Sequence, residues 1–408
     1  MNIGFSSVSS FNRQLFGCLL LACLAPTVQA DADDTFNIYL AEGIQQDSNL
    51  FRQSANEQSD SIQSTSATLA FSKPLAQQRF SLDATLIDYR YSKNDYLDYR
   101  ATNYNGAWNW ALTHRLTGVL SLSQTEAQTS FVDYSQGTPL THPIVRRTNV
   151  NHFGAEWQVM GGWRLLGGVT NNQQANSSTF TAQNSYELNT WEAGAKYIWP
   201  AGNYLQLLRR EGNGTYKDRV YVGLDVVPAP FNSQFDTGFS QTETEARLYV
   251  PLTGKSTIDG KLAHQSRQHD HFSQRDYSVN IGRVDYTWLP TGNLSVVSGL
   301  RREVAAYQTI ISSYYLTDGF KVQPSWQISP KVILRLSYDW QRRKYEGALI
   351  TGQPEWRDKL QSARVGVDWA PVRWATLSTA YQRDTRHSTR DNFDFNANIF
   401  SVTARLNF

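Results

Sequence analysis

Residues 332–340 read VILRLSYDW, with Val332, Leu334, Leu336, Tyr338 and Trp340 on one parity and Arg335, Ser337 and Asp339 on the other. A period of two is the mark of a β-strand with one apolar and one polar face. The polar face here carries an arginine and an aspartate, which a packed core accepts only when they are paired. The same grammar recurs along the chain. ARVGVDW (363–369) sets Ala363, Val365, Val367 and Trp369 against Arg364, Gly366 and Asp368, and WEAGAKYIW (191–199) sets its aromatic parity against Glu192, Gly194 and Lys196. The last nine residues, FSVTARLNF (400–408), alternate again. Charge on the polar parity of strand after strand implies that this parity lines water while the other meets hydrocarbon.

Turn signals space these strands evenly. KPLAQQ (73–78), LTHR (112–115), MGGW (160–163), WPAGN (199–203), PLTGK (251–255), LPTGN (289–293), ISPK (328–331) and APVR (370–373) recur at about 37 to 51 residues. Longer polar stretches lie between them, for example 124–144, 171–185 and 264–275. One short turn, two strands and one long loop per period is the pattern of a transmembrane antiparallel up-and-down β-barrel, with short periplasmic turns and longer extracellular loops. Eight short turns and two termini predict about 18 strands, with two either way because alternation is weak over 205–240. A soluble propeller has similar strand density, but it buries both faces of most strands and has no use for charge at every second residue. Trp199, Trp288, Trp340, Trp369 and Trp374 beside the short turns suit an aromatic girdle at the lipid boundary.

Composition agrees. The 408 residues are 13% aromatic, with 12 Trp and 21 Tyr. Mean hydropathy is −0.48, and no run after residue 30 approaches the length of a membrane helix. Residues 1–30 read as a secretory signal peptide cleaved after Ala30: Arg13, an apolar run from Leu15 to Ala25, then Val28-Gln29-Ala30. A lipoprotein site at Cys23 is disfavoured by Leu21 and by the better Val-x-Ala site. The barrel is then 31–408, without cysteine, and the expected location is the outer membrane of a Gram-negative bacterium. Without Arg13, 37 basic residues face 36 acidic ones, and no basic tract points to nucleic acid.

The sequence carries no catalytic constellation, cofactor motif or dense metal-ligand pattern. His264, His269, Asp270 and His271 form the densest titratable cluster, but they fall in an expected outer loop, where functionless histidines are commoner than cation sites. The polar-parity residues Asp83, Glu156, Glu192, Arg335, Asp339, Arg364 and Asp368 are candidates for the lumen wall; their mixed signs suit hydrogen bonding better than strong ion selectivity. Arg209-Arg210, Arg301-Arg302 and Arg342-Arg343-Lys344 are read at outer strand ends. They would form either a basic vestibule or, preferably, contacts to outer-membrane lipid phosphates and nearby acids such as Glu303 and Glu346. Tyrosines within YSKNDY (91–96) and YLDYRATNYNGAWNW (96–110) could stack on sugars where they face inward.

Two stretches resemble a known family. DDTFNIYLAEGIQQDSNLFR (33–52), with its Asp47-Ser48-Asn49-Leu50-Phe51-Arg52, and YLDYRATNYNGAWNW are similar to the exopolysaccharide-operon outer-membrane β-barrels, the EpsL-like proteins grouped with "putative β-barrel porin 2". The resemblance implies a non-enzymatic, passive role in exporting a polysaccharide, driven by periplasmic and inner-membrane partners of a secretion system. The rival expectation is a general or solute-specific porin for small molecules, and a barrel enzyme comes third. An alternating end in Phe400, Val402, Leu406 and Phe408 also resembles the signal read by the outer-membrane assembly machinery.

Overall fold

A computed structural model describes residues 35–133, 142–178, 185–217, 219, 236–309, 311–349, 352 and 354–408; the expected signal peptide lies outside them. Six strands open the chain: β1 (Phe36–Asp47), β2 (Asp60–Leu75), β3 (Gln78–Tyr91), β4 (Tyr99–Thr113), β5 (Leu116–Gln128) and β6 (Val145–Met160). Then come β7 (Trp163–Asn176), β8 (Tyr186–Ile198), β9 (Tyr204–Tyr216), β10 (Gly238–Thr253), β11 (Ser256–His269) and β12 (Tyr277–Thr291). The last six are β13 (Leu294–Ala306), β14 (Tyr314–Ser329), β15 (Val332–Glu346), β16 (Trp356–Val372), β17 (Ala375–Ser388) and β18 (Phe395–Asn407).

Each strand pairs antiparallel with the next, and β18 pairs with β1 through Leu40↔Leu406 and Ile44↔Val402. The result is a closed 18-stranded barrel. Closure satisfies every strand edge, which hydrocarbon demands because it offers no hydrogen bonds to orphaned backbone groups. Hairpin turns sit at one end, seven of two residues and one, between β8 and β9, of five. Gly161 takes φ +51° in one of them, a left-handed conformation that favours glycine.

The outer face is aliphatic: Leu262 is 68% exposed, Leu300 63% and Leu86 62%. Trp199, Trp288, Trp369 and Trp374 lie at the short-turn end, as expected. Trp340 does not: it is the ninth residue of β15 and belongs to the opposite boundary. Strands also run further into the polar stretches than the composition suggested, to Gln128, Asn176 and His269. Beyond the lipid belt both faces of a strand meet water, so apolar alternation fades before pairing does.

The buried apolar clusters gather at the long-loop end. Leu50, Tyr91 and Leu97 form one; Tyr307, Tyr315, Tyr345 and Trp356 form another. Leu188, Tyr216 and Phe239 make a third. Gly214 is required there, since a Cβ on it would lie 2.1 Å from the Phe239 ring. Segments between strands reach across this mouth. Gln308, after β13, donates to Tyr216 Oη on β9 at 2.8 Å. Arg386 of β17 donates to the Val132 carbonyl, after β5, at 2.7 Å. Pairing of β12 with β13 stops at Gly282↔Arg302, which frees the β13–β14 hairpin to lean inward.

Candidate functional site

Paired residues on neighbouring strands share a face, so the exposed leucines assign whole rows. Leu262 and Leu300 face out; Lys261 and Arg301, one residue away, face in. Direct partners then link Arg164 (β7), Lys196 (β8), Gln206 (β9), Arg247 (β10), Lys261 (β11), Arg283 (β12) and Arg301 (β13). This is a row of cations, broken once by a glutamine, on seven successive strands. Because barrel strands tilt, such a row climbs the wall obliquely.

Carboxylates hold every cation of the row. Arg164 meets Glu156 at 3.1 Å, and Lys196 bonds the same carboxylate. Arg247 meets Asp259 at 2.5 Å, Arg283 meets Asp285 at 2.7 Å, and Arg301 meets Asp339 at 2.9 Å. Lys261 lies 3.0 Å from Glu243 and 2.8 Å from Glu245. Arg210 is the hub: it donates to Glu192 at 2.8 Å, Glu243 at 2.9 Å and Glu245 at 2.6 Å. Two cavities, of about 640 Å³ and about 780 Å³, both have Arg210 in their lining. The first also has Asn109, Thr117, His152 and Glu156, the second Lys261, Arg283 and Arg301.

The structure places Asp83, Glu156, Glu192, Arg335, Asp339, Arg364 and Asp368 on the inner parity. Arg335 pairs with Asp368 at 2.5 Å, Asp339 with Arg301, and Glu192 with Arg210, while Asp83 sits opposite Asn105. The basic runs need correction. Adjacent residues on a strand point to opposite faces, so each run is split: Arg210, Arg301 and Arg343 face in, and Arg209, Arg302 and Arg342 face out. Arg210 is moreover the seventh residue of β9, well inside the barrel rather than at its rim.

The histidine cluster disperses for the same reason. His264 lies on β11 with its ring outward, 2.9 Å from Asn280 Oδ1 and 3.0 Å from Ser278 Oγ. His269 ends that strand facing inward, 3.3 Å from Asp276, and His271 lies 3.0 Å from Asp236. Among the described residues, no three such groups gather as metal ligands. Of the aromatics in 91–110, Tyr91 and Tyr99 face in, with Tyr99 stacked on Tyr89 at 4.7 Å, whereas Tyr104, Trp108 and Trp110 face out. Sequence reasoning missed Glu243, Glu245, Arg247, Asp259, Lys261 and Arg283. Glu243, Glu245 and Arg247 do share one parity in ETEARLYV (243–250), but the weak alternation just before them hid where β10 begins.

A closed antiparallel barrel with an aliphatic belt and a charged inner wall defines a membrane-spanning β-barrel of porin architecture. The family described as "Putative beta-barrel porin 2" matches residues 262–408, from within β11 to Phe408, and so includes neither of the two resembling stretches. No curated protein matches the chain. Among solved structures, Pseudomonas aeruginosa OccK2 (OpdF) in complex with glucuronate aligns over 92% of this chain and 98% of its own, at 11% identity and a TM-score of 0.51, and shares the fold. OpdK of the same organism with vanillate aligns over 91% and 99%, at 11% identity and a TM-score of 0.48.

Proposed function

We propose that this protein is an outer-membrane channel through which small polar solutes pass passively, made with a cleaved leader at 1–30. The observation that carries the reading is the lumen at Arg210, where two cavities meet on a wall of alternating cations and carboxylates. Cavities of several hundred Å³ suit small molecules, and each ion pair can exchange a partner for a polar or charged solute at little cost in a wet lumen. The cations form one row across seven strands, interrupted only at Gln206, whereas the acids sit in separate groups, which favours solutes bearing a carboxylate or phosphate.

Export of a polysaccharide is the second reading. It rests on the resemblance of 33–52 and 96–110, and the segments packed across the mouth favour the smaller cargo. One experiment separates the two: purified protein in liposomes, with swelling measured in monosaccharides, sugar acids and long dextrans. Entry of the small solutes, with dextrans excluded, is expected. Impermeability to all small solutes with the barrel folded would overturn the channel reading. Loss of surface polysaccharide in a deletion strain with unchanged small-solute uptake would favour export.

A further inference from the structure

The outward members of the basic runs are not used by the lumen, and they do not stand alone. Direct partners align Arg302 (β13), Asp318 (β14), Arg342 (β15), Lys359 (β16) and His387 (β17) in one row on the outer surface. The row immediately below it holds Leu300, Phe320 and Trp340, with Phe320 stacked on Trp340 at 5.8 Å. One step further from the lipid lie Lys344 and Arg357.

The level of these rows follows from strand geometry. Along β15 the outward residues are Val332, Leu334, Leu336, Tyr338 and Trp340, then Arg342 and Lys344. Eight residues of strand rise about 27 Å, or roughly 21 Å along the axis at ordinary barrel tilt, close to the ~25 Å apolar band of such barrels. Arg342 therefore emerges where headgroups begin, above an aromatic edge.

The charge here is not cancelled. Arg302, Arg342, Lys344, Arg357 and Lys359 face three acids, Asp318 shared by Arg302 and Arg342 at 3.3 Å each, Glu346 on Lys344 at 2.8 Å and Glu355 on Arg357, while a fourth, Asp394, lies 3.7 Å from His387. Lys359 and Arg383 have no ion-pair partner among the described residues; Arg383 is two rungs down the register, but as the ninth residue of β17 it stands at the aromatic edge, as Trp340, the ninth of β15, does, within reach of the headgroups. On the long-loop half of the other strands, the outward arginines are paired. Arg90 and Arg100 meet Asp88 and Asp98, Arg147 meets Glu126, and Arg209 meets Glu211. The surplus belongs to the β13–β17 flank.

We propose that this flank is a docking surface for the phosphate groups of lipids in the surrounding leaflet on the long-loop side, with the aromatic row below it receiving their acyl chains. Arginine and lysine at a membrane interface attract phosphorylated headgroups, and the two unpaired cations bear most of that attraction. The lipid would order one side of the barrel, not a complete ring.

The test uses the full barrel in detergent micelles supplemented with phosphatidylcholine and phosphatidic acid, with retained lipid counted by native mass spectrometry. Lys359→Gln with Arg383→Gln should lower retained phosphatidic acid roughly tenfold. Arg90→Gln with Arg100→Gln, which removes the same charge from the other flank, should leave it unchanged. Heat-modifiable gel migration checks that both variants are folded. Equal losses in both pairs would mean non-specific attraction and overturn the proposal, as would no loss in either. Inorganic phosphate at the concentration of the lipid should not compete; if it does, the surface binds free phosphate and the lipid assignment is wrong.

Discussion

At the scale of single residues, the mouth is held by buried charges. Arg386 and Asp358 lie 2.6 Å apart with side chains 3% and 0% exposed, and Asp358 also accepts from Tyr345 Oη and Trp356 Nε1, both at 2.9 Å. Removing one member of such a pair strands the other, at a cost of about 3–5 kcal/mol. Arg386→Ala should therefore open the mouth locally and raise hydrogen exchange around 129–133 and 389–395 without unfolding the barrel; unchanged protection there would contradict it. Asp236 clips two further segments together, accepting from the His271 and Phe272 amides at 2.8 Å each. Burial disfavours its ionised form, but the hydrogen bonds from His271, Phe272 and Thr237 outweigh this and hold its pKa below the ordinary carboxylate value. A depressed folded-state pKa contributes stability that is complete above the unfolded value of about 3.9 and is lost as pH falls through the folded one. Protection of the 271–272 amides, corrected for intrinsic rate, should thus hold from neutrality to about pH 5 and fall under stronger acid; in Asp236→Asn it should be low throughout. The Asp47–Arg52 motif is also legible as packing. Arg52 takes φ 55° and meets Asp47 at 2.9 Å, Asn49 donates to the Asn396 carbonyl at 3.0 Å, and Leu50 is buried. The motif folds the β1–β2 segment into the mouth, a role its sequence does not announce.

The seam between β18 and β1 governs the element scale. Phe408 exchanges two backbone hydrogen bonds with Ile38, of 2.9 and 2.8 Å, and its parity places the ring on the lipid side. Inside, Arg405 sits over the Tyr39 ring at 4.0 Å. Deleting Phe408 removes both bonds, worth about 1 kcal/mol each, at the place where the last edge must close. The expected result is slower, less complete insertion, seen as a smaller heat-modifiable fraction on gels while the chain still reaches the periplasm; normal insertion would refute it. Strands were the most legible feature, because lipid on one side and water on the other impose a strict period of two, and short turns mark every second strand end. Inner and outer parity could be read for Glu192 or Arg335 because an apolar neighbour flanks each. It was harder to read for the arginine runs, where Arg210, Arg302, Arg342 and Arg343 have polar residues on both sides, and sequence order could not show which residues share a row. That depends on register between strands, which hairpin turns fix by one residue more or less.

For the molecule as a whole, register turns scattered charges into two oblique surfaces. The row that crosses β7 to β13 faces the lumen with each of its cations on a carboxylate; the row on β13 to β17 faces lipid headgroups with cations in surplus. A near-neutral chain can therefore be strongly patterned, and net charge says little about what passes through it. The balance inside hinges on Arg210, which bridges Glu192 to the Glu243 and Glu245 that Lys261 also meets. Arg210→Ala leaves those three carboxylates facing the single charge of Lys261. A unit charge about 8 Å from the path of an ion in water-like surroundings is worth about 0.5 kcal/mol, roughly a twofold change in the ion's occupancy. Reconstituted in a planar bilayer under a potassium chloride gradient, the Arg210→Ala channel should have a reversal potential shifted toward cations by that order. Arg209→Ala, one residue away and facing out, should leave the potential where it is. The contrast between neighbours reads the inner parity directly: equal shifts would mean that the field, not the lumen contact, sets selectivity. No shift in either would place the permeation path away from Arg210.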